Sequence, residues 1–300
     1  MLSKIELFLG SAGAENQTVI AKSPVIQEKL EIIDKVAQTD SLILILGEQG
    51  TGKSFFAERI HLLSARSRKP FARINCAAFP EGFLEAESIE LFAGGTLFLD
   101  EITDLSLDIQ EKLLGLIKEK ALDARIIATS GKNIEKQLEK GAFNSDLYHR
   151  INVLSLCVPP LRQRQEDIPE LAAFFLKNSM TKSQSLFEGF SAAAQEAMLF
   201  YPWPGNVGEM KNCIERACVI AKHNVIEVED IFLKSLPLAV MPKDGSKTLK
   251  NAENVFRTLF IRKMLEEHNW NQTGTAKVLG IQRTYLSRLI KELDINNPKE

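Results

Sequence analysis

The sequence predicts an α/β fold built on a parallel sheet, followed by an all-helical segment and a small all-α helix-turn-helix unit. Three observations carry this. The apolar run Leu42 to Leu46 is followed at once by a glycine-rich octapeptide and then by a helical pattern. Helical patterns and short apolar runs then alternate as far as Thr129. Beyond Pro159-Pro160 only helical periods remain, and the chain closes on a basic segment reading helix, glycine, helix. A chain of 300 residues that is 45% hydrophobic and 25% charged can bury a full core and leaves room for two or three domains.

The elements follow in chain order. Ser23 to Ala37 has apolar residues at Val25, Ile26, Leu30, Ile33 and Val36, a helical spacing, and Ser23-Pro24 supplies the cap and first turn. Residues 42–46 read as a buried strand and 53–65 as a helix. Strands are expected at 71–75, 96–99 and 125–129, with a helix at 105–119. Such alternation implies a parallel sheet flanked by helices, with ligands at the carboxyl ends of its strands. Pro159-Pro160 and the charged stretch Arg162 to Asp167 end the pattern, and helices run on to about Lys234. Leu236 to Lys250, with Pro237, Pro242 and Asp244-Gly245, reads as a linker.

The octapeptide Gly47-Glu48-Gln49-Gly50-Thr51-Gly52-Lys53-Ser54 is a complete phosphate-binding loop. Its glycines let backbone N–H groups point inward, Lys53 reaches the β- and γ-phosphates, and the Ser54 hydroxyl is placed to ligate Mg²⁺. The following helix turns its positive end toward the phosphates. A nucleoside triphosphate, ATP with Mg²⁺, is the expected ligand. Thr96-Leu97-Phe98-Leu99-Asp100-Glu101 is an apolar strand ending in two acids, where such a site needs Asp100 for Mg²⁺ and Glu101 to polarise the attacking water. Asn75, at the end of the preceding strand, is a neutral amide able to hold a catalytic glutamate.

Cys76, Cys157, Cys213 and Cys218 form no paired motif and read as reduced core thiols. No apolar run nears the ~20 residues that span a bilayer, and the first residues lack a secretory signature, so a cytoplasmic protein without a membrane partner is expected. The net charge of −2 hides an asymmetry: from Ser246 onward there are 10 Lys and Arg against 6 Asp and Glu.

In combination, Gly47 to Ser54, Asn75-Cys76-Ala77-Ala78, Gly94 to Glu101, Asp146 to Val153, Pro159-Pro160-Leu161-Arg162, Glu166-Asp167-Ile168-Pro169 and Tyr201 to Val207 resemble the bacterial enhancer-binding proteins, AAA+ activators of sigma-54 RNA polymerase. The resemblance implies an AAA+ P-loop NTPase with a helical lid that self-associates into a ring, with nucleotide at subunit interfaces. It makes Asn75 similar to the residue that switches the catalytic glutamate, and Arg150 similar to an arginine finger supplied to a neighbouring subunit. The expected domains are an extension at 1–18, an α/β nucleotide-binding subdomain at 19–165, a lid at 166–235, a linker at 236–249 and a DNA-binding domain at 250–300.

The chain also departs from that family. The segments resembling those on either side of the GAFTGA loop, which touches the sigma factor, here abut at Ser88-Ile89. The stretch between Lys120 and Ala124 is short, so a second, supporting loop is trimmed too. Ser130-Gly131 replaces the Thr-Asn sensor, Asn144 stands at the first arginine-finger position, and Gly208 stands at the lid's sensor arginine. Because loss of an arginine finger typically costs roughly 10³ to 10⁵ in rate, binding is expected to survive better than hydrolysis.

Ala252 to His268 reads as an amphipathic helix, Asn271 to Leu279 as a short helix, and Gln282 to Leu293 as a further helix after Gly280. The pattern, notably Asn271, Ala276, Leu279-Gly280-Ile281 and Leu286, looks like the Fis-type helix-turn-helix that ends this family. Gln282, Arg283, Thr284, Tyr285, Arg288 and Lys291 would form the DNA-contacting face, and the first tail helix would supply a dimer contact. The start of the chain so close to the nucleotide domain leaves no receiver domain expected. The reading is an ATP- and DNA-binding transcription regulator in which nucleotide controls oligomerisation and hydrolysis is weak. The alternative is an active ATPase that remodels sigma-54 polymerase through another surface.

Overall fold

A computed structural model describes residues 5–8, 19–80, 82–183 and 186–231, and in the C-terminal part 258, 261, 262, 264, 265, 268, 270–293 and 295. The chain divides into two compact units, Met1–Phe232 and Leu233–Glu300.

In the first unit a six-stranded sheet comprises β1 (Ile5–Phe8), β2 (Ile43–Leu46), β3 (Phe71–Asn75), β4 (Thr96–Asp100), β5 (Arg125–Ser130) and β6 (Leu154–Cys157), in the order β1-β3-β4-β5-β2-β6. All pairings are parallel except that of β1, which runs antiparallel along β3 with Ile5 opposite Ile74. The parallel core was expected. The two outer strands were not: four residues of β1 have no periodicity to separate them from a coil, and β6 buries only Leu156.

The strands alternate between two cores, as a period of two requires. Leu44, Ala72, Ile74, Leu97, Leu99, Ile126 and Ala128 face α4 (Leu107–Lys118) and α6 (Ser145–Ile151). Ile43, Ile45, Phe71, Phe98 and Ile127 face α1 (Pro24–Ala37) and α2 (Lys53–Leu62). The same alternation overturns one thiol expectation. Leu156 points inward, so Cys157 is exposed, whereas Cys76, Cys213 and Cys218 are buried.

Between Glu85 and Phe92 the chain makes a single turn, α3 (Ala86–Ile89), that runs straight into a 3₁₀ turn over Glu90–Phe92. The helix α5 (Ile134–Glu139) precedes α6. The lid consists of α7 (Ile168–Ser183), α8 (Ala192–Phe200) and α9 (Asn206–Ile220), and contrary to the all-helical expectation it includes the parallel pair β7 (Gly189–Phe190) and β8 (Val225–Ile226). Two-residue strands lie below what periodicity can detect. The linker expected at 236–249 lies outside the described residues.

In the second unit, α10 (Gln272–Val278) and α11 (Arg283–Glu292) join through Leu279, Gly280, Ile281 and Gln282. The Asn271 side chain caps α10 by accepting from the N–H groups of Thr273 and Gly274, at 3.1 and 3.2 Å. Gly280 takes the left-handed conformation at φ +66°, which ends the helix without a Cβ penalty. Ala276, Leu286 and Leu289 pack with Ile261, Leu265 and Ile295. Most of the expected helix at 252–268 lies outside the described residues.

Among the described residues no helix is long and apolar enough to cross a membrane.

Candidate nucleotide-binding site

Strand β2 delivers the loop to the carboxyl edge of the sheet, where Gly47 donates its N–H to the Ser130 carbonyl at 3.2 Å. Gly50 holds φ +76° and accepts at its carbonyl from the Gly208 N–H at 3.1 Å. A Cβ at Gly50 would lie 2.2 Å from the Gly205 carbonyl oxygen, so only glycine admits this approach of lid to loop. The N-terminal turn of α2 begins at Lys53 and leaves backbone N–H groups for an anion. Buried Lys53 Nζ donates to the Gly47 carbonyl at 2.9 Å and to the Glu48 carbonyl at 3.3 Å.

A cavity of about 830 Å³ opens over this loop, and Gly50, Lys53, Ser54, Asp100 and Glu101 all line it. On its far side stand Val19, Ile20, Leu171 and Phe174, an apolar wall suited to a flat heterocycle. Nothing in the sequence marks this wall, because each member is an ordinary apolar residue until the segment before α1 and the lid come together. Gly208 and Lys211 of α9 also reach the cavity.

Register brings the acids to the loop. Asn75 lies opposite Asp100 across β3 and β4. Glu101, one residue past β4, adopts φ +59°, an uncommon conformation for a side chain with a Cβ. Its Oε1 pairs with Lys53 Nζ at 2.9 Å, and its Oε2 accepts from the Gly131 N–H at 2.6 Å. A Cβ at Gly131 would lie 3.1 Å from Glu101 Oε1, so glycine here leaves the carboxylate room to fold down on the lysine. Asn75 lines the cavity beside Glu101 without a hydrogen bond to it here. Its Oδ1 accepts from the Ala77 N–H at 3.0 Å and caps the 3₁₀ turn that follows β3.

Ser54 and Asp100, the expected Mg²⁺ ligands, do converge, but on another cation. One guanidinium nitrogen of Arg73 donates to Ser54 Oγ at 3.1 Å and to Asp100 Oδ2 at 2.8 Å. The other carboxylate oxygen of Asp100 accepts from Thr129 Oγ1 at 2.8 Å. Mg²⁺ demands a near-octahedral set of oxygens at about 2.0–2.1 Å. With both donor groups held by an arginine, the arrangement does not fit it.

The charged stretch after Pro160 ties the lid to the loop. Arg162 makes a two-pronged contact with Glu48, at 2.6 and 2.8 Å, and this hydrogen bonding lowers the Glu48 carboxyl to about 2. Arg164, buried, donates to the Thr51 carbonyl at 2.6 Å. Fully buried Asp167 accepts from Ser23 N and Oγ at 2.7 and 2.8 Å and from Lys22 N at 2.7 Å, fixing the start of α1. Asn206 reaches both the loop and the lid connection. Its Oδ1 accepts from the Leu161 N–H at 2.8 Å and its Nδ2 donates to the Gln49 carbonyl at 3.0 Å. In sequence the charged members mark only where the strand pattern ends.

Arg150 is exposed on α6 and does not line the cavity. Asn144 caps α6 by accepting from the Leu147 N–H at 3.1 Å, so its side chain serves the helix end. In the second unit Gln282, Arg283, Thr284, Tyr285 and Arg288 share the exposed side of α11 while Leu286 and Leu289 are buried. Lys291 falls on the same helix, and its side chain lies outside the described residues.

Residues 20–161 match the family described as Sigma-54 interaction domain, residues 162–240 an AAA+ ATPase lid domain, and residues 260–293 the Fis family of bacterial regulatory proteins. The chain is 34% identical to the Nif-specific regulatory protein of Azotobacter vinelandii, an alignment covering 97% of this chain and 61% of that protein. It thus spans about six tenths of that relative's length. The alignment runs over 327 positions against the chain's own 300 residues, so the relative carries segments with no counterpart here. Identity to the transcriptional regulatory protein ZraR of Escherichia coli is 36%, over 90% of this chain and 68% of ZraR. Among solved structures, NtrX from Brucella abortus in complex with ADP superposes with a TM-score of 0.68 at 27% identity, covering 93% of this chain and 69% of NtrX. The ATP complex of NtrX gives 0.67 at 26% identity, over 94% and 70% of the two chains.

Proposed function

The chain belongs to the sigma-54 activator family, and from that membership we infer that it is a DNA-binding transcription regulator whose nucleotide site governs self-association more than it powers polymerase remodelling. ATP lies between the phosphate-binding loop and the lid, with its base against the apolar wall. Gly47 to Lys53 hold the phosphates, Glu101 is the residue that would orient water, and Arg150 reaches into a neighbouring subunit. The α11 face from Gln282 to Lys291 meets DNA. The proposed boundaries are 19–165 for the α/β part, 166–235 for the lid and 250–300 for the DNA-binding domain.

One observation carries the reading: the continuous turn from Ala86 to Phe92, which leaves no loop where the resembling family carries its sigma-contacting one. Support comes from the greater number of positions in the Azotobacter alignment. The posture of Glu101 is consistent with slow hydrolysis, because a carboxylate paired with Lys53 at 2.9 Å must leave it before it can act on water. Light scattering with and without ATP tests the proposal. Assembly size is expected to rise with ATP in the native chain and to stay fixed in Lys53→Ala, and identical behaviour of the two refutes it.

The convergence of Lys53, Asp100 and Glu101 on one cavity favours a second reading, in which hydrolysis is retained and the polymerase is engaged through another surface. Open-complex formation at a sigma-54 promoter that is lost in Glu101→Gln would establish it over the first.

A further inference from the structure

Arg73 is an interior strand residue whose position follows from the period of β3. Phe71 and Arg73 share one face, the face of α2, and Arg73 lies opposite Phe98 of β4 with its guanidinium 5.6 Å from that ring's centroid. The ring supports the stem while the head continues two residues along the neighbouring strand to Asp100, and the first turn of α2 brings Ser54 down to the same nitrogen. Arg73 also lines the nucleotide cavity. It therefore stands between the two groups that would hold a divalent ion, in the same cavity that Lys53 lines.

A guanidinium stays protonated at any pH a protein tolerates, and its five N–H donors in a planar fork suit bidentate contact with phosphate oxygens. A charge tethered by the strand pays no separate cost of recruitment from solution, whereas Mg²⁺ must shed part of a tightly held hydration shell. We propose that Arg73 is a built-in counter-cation at the metal position, so that this chain binds a nucleoside triphosphate without Mg²⁺. The inference rests on the reading that the Gly47 to Ser54 loop binds nucleotide. A single positive charge replaces a double one, which retains phosphate binding and weakens stabilisation of the charge that develops during phosphoryl transfer.

The test is equilibrium binding of N-methylanthraniloyl-ATP by fluorescence anisotropy, in excess EDTA and in excess Mg²⁺. The native chain is expected to bind with dissociation constants within about threefold of each other in the two buffers, and Arg73→Ala to bind at least about tenfold more weakly in EDTA than in Mg²⁺. Arg73→Gln, which keeps a stem over Phe98 without charge, gives the same pattern and covers the case in which the alanine variant does not fold. A readout without nucleotide accompanies this: titration with Mn²⁺ followed by electron paramagnetic resonance should show ion uptake by Arg73→Gln and none by the native chain. Native binding that collapses in EDTA overturns the proposal while leaving the nucleotide site intact, as does a variant no more metal-dependent than the native chain. No binding in either buffer, or binding unaffected by Lys53→Ala, overturns the nucleotide reading and the proposal with it.

Discussion

Asn206 makes three connections from one fully buried side chain: to the Leu161 N–H, to the Gln49 carbonyl and to Glu48 Oε2 at 3.3 Å. It does so at φ +53°, a left-handed conformation that asparagine tolerates better than most residues. Replacement by alanine would leave a buried N–H without its acceptor and a Cβ-bearing residue at positive φ. A loss of about 2–4 kcal/mol is expected, read as a lower urea midpoint with an unchanged slope. The site depends on such residues as much as on its charged ones. Lys53 and Asp100 were legible because motif chemistry demands them, and Glu101 because it follows Asp100 at the strand end. Arg73 and Asn206 were not, since their roles exist only once strand register and lid closure bring distant segments together. Asn75 shows another case, a motif residue that lines the cavity with Glu101 while its side-chain oxygen caps the local turn after β3.

The two helices of the tail show what an element adds to its residues. Leu286 and Leu289 sit in the small core, and the spacing of 3.6 residues per turn then turns Gln282, Arg283, Tyr285 and Arg288 outward together. If this face tracks a phosphate backbone, each lost cation releases about one counterion fewer. Arg283→Ala is therefore expected to weaken binding to any duplex about equally and to lower the slope of log affinity against log salt by about 1. An unchanged slope with unchanged affinity would remove Arg283 from the interface. The lid clasp is the corresponding device in the first unit. Gly50 lets the start of α9 lie against the loop, and Arg162 and Arg164 grip the loop from the connection before α7. A regulator that reads nucleotide through the lid needs such a direct contact between lid and loop.

At the scale of the whole first unit, stability depends on a histidine remote from the nucleotide. His61 is buried between α2 and the sheet with Nδ1 2.8 Å from Thr96 Oγ1, and its Nε2 has no partner among the described residues. Burial first, and the Arg125 charge second, push its pKa from an ordinary 6.5 down to about 4. The unfolded chain therefore binds a proton that the folded one refuses. The contribution of this one group is full above pH 6.5 and falls as the pH drops toward 4, by about 3 kcal/mol across that window. Urea denaturation of residues 19–232 at pH 7, 5.5 and 4.5 should show this decline, and a His61→Asn variant should show a shallower one.

The sequence by itself determined the order of strands and helices from α1 through β2, α2, β3, β4 and α4 to β5, the phosphate loop with its acids, and the helix, glycine, helix pattern of the tail, because each is written in local periodicity or in a contiguous motif. It also exposed the missing loop, as an abutment at Ser88-Ile89 that the structure realises as one turn. Only the tertiary structure decided which cation sits at Ser54 and Asp100, which side chains join lid to loop, and which apolar residues wall the cavity. These depend on strand register and on contacts between segments more than a hundred residues apart, such as Thr51 with Arg164 and Ser23 with Asp167. A local pattern cannot encode such a contact, since the free energy that selects it comes from burying both partners at once.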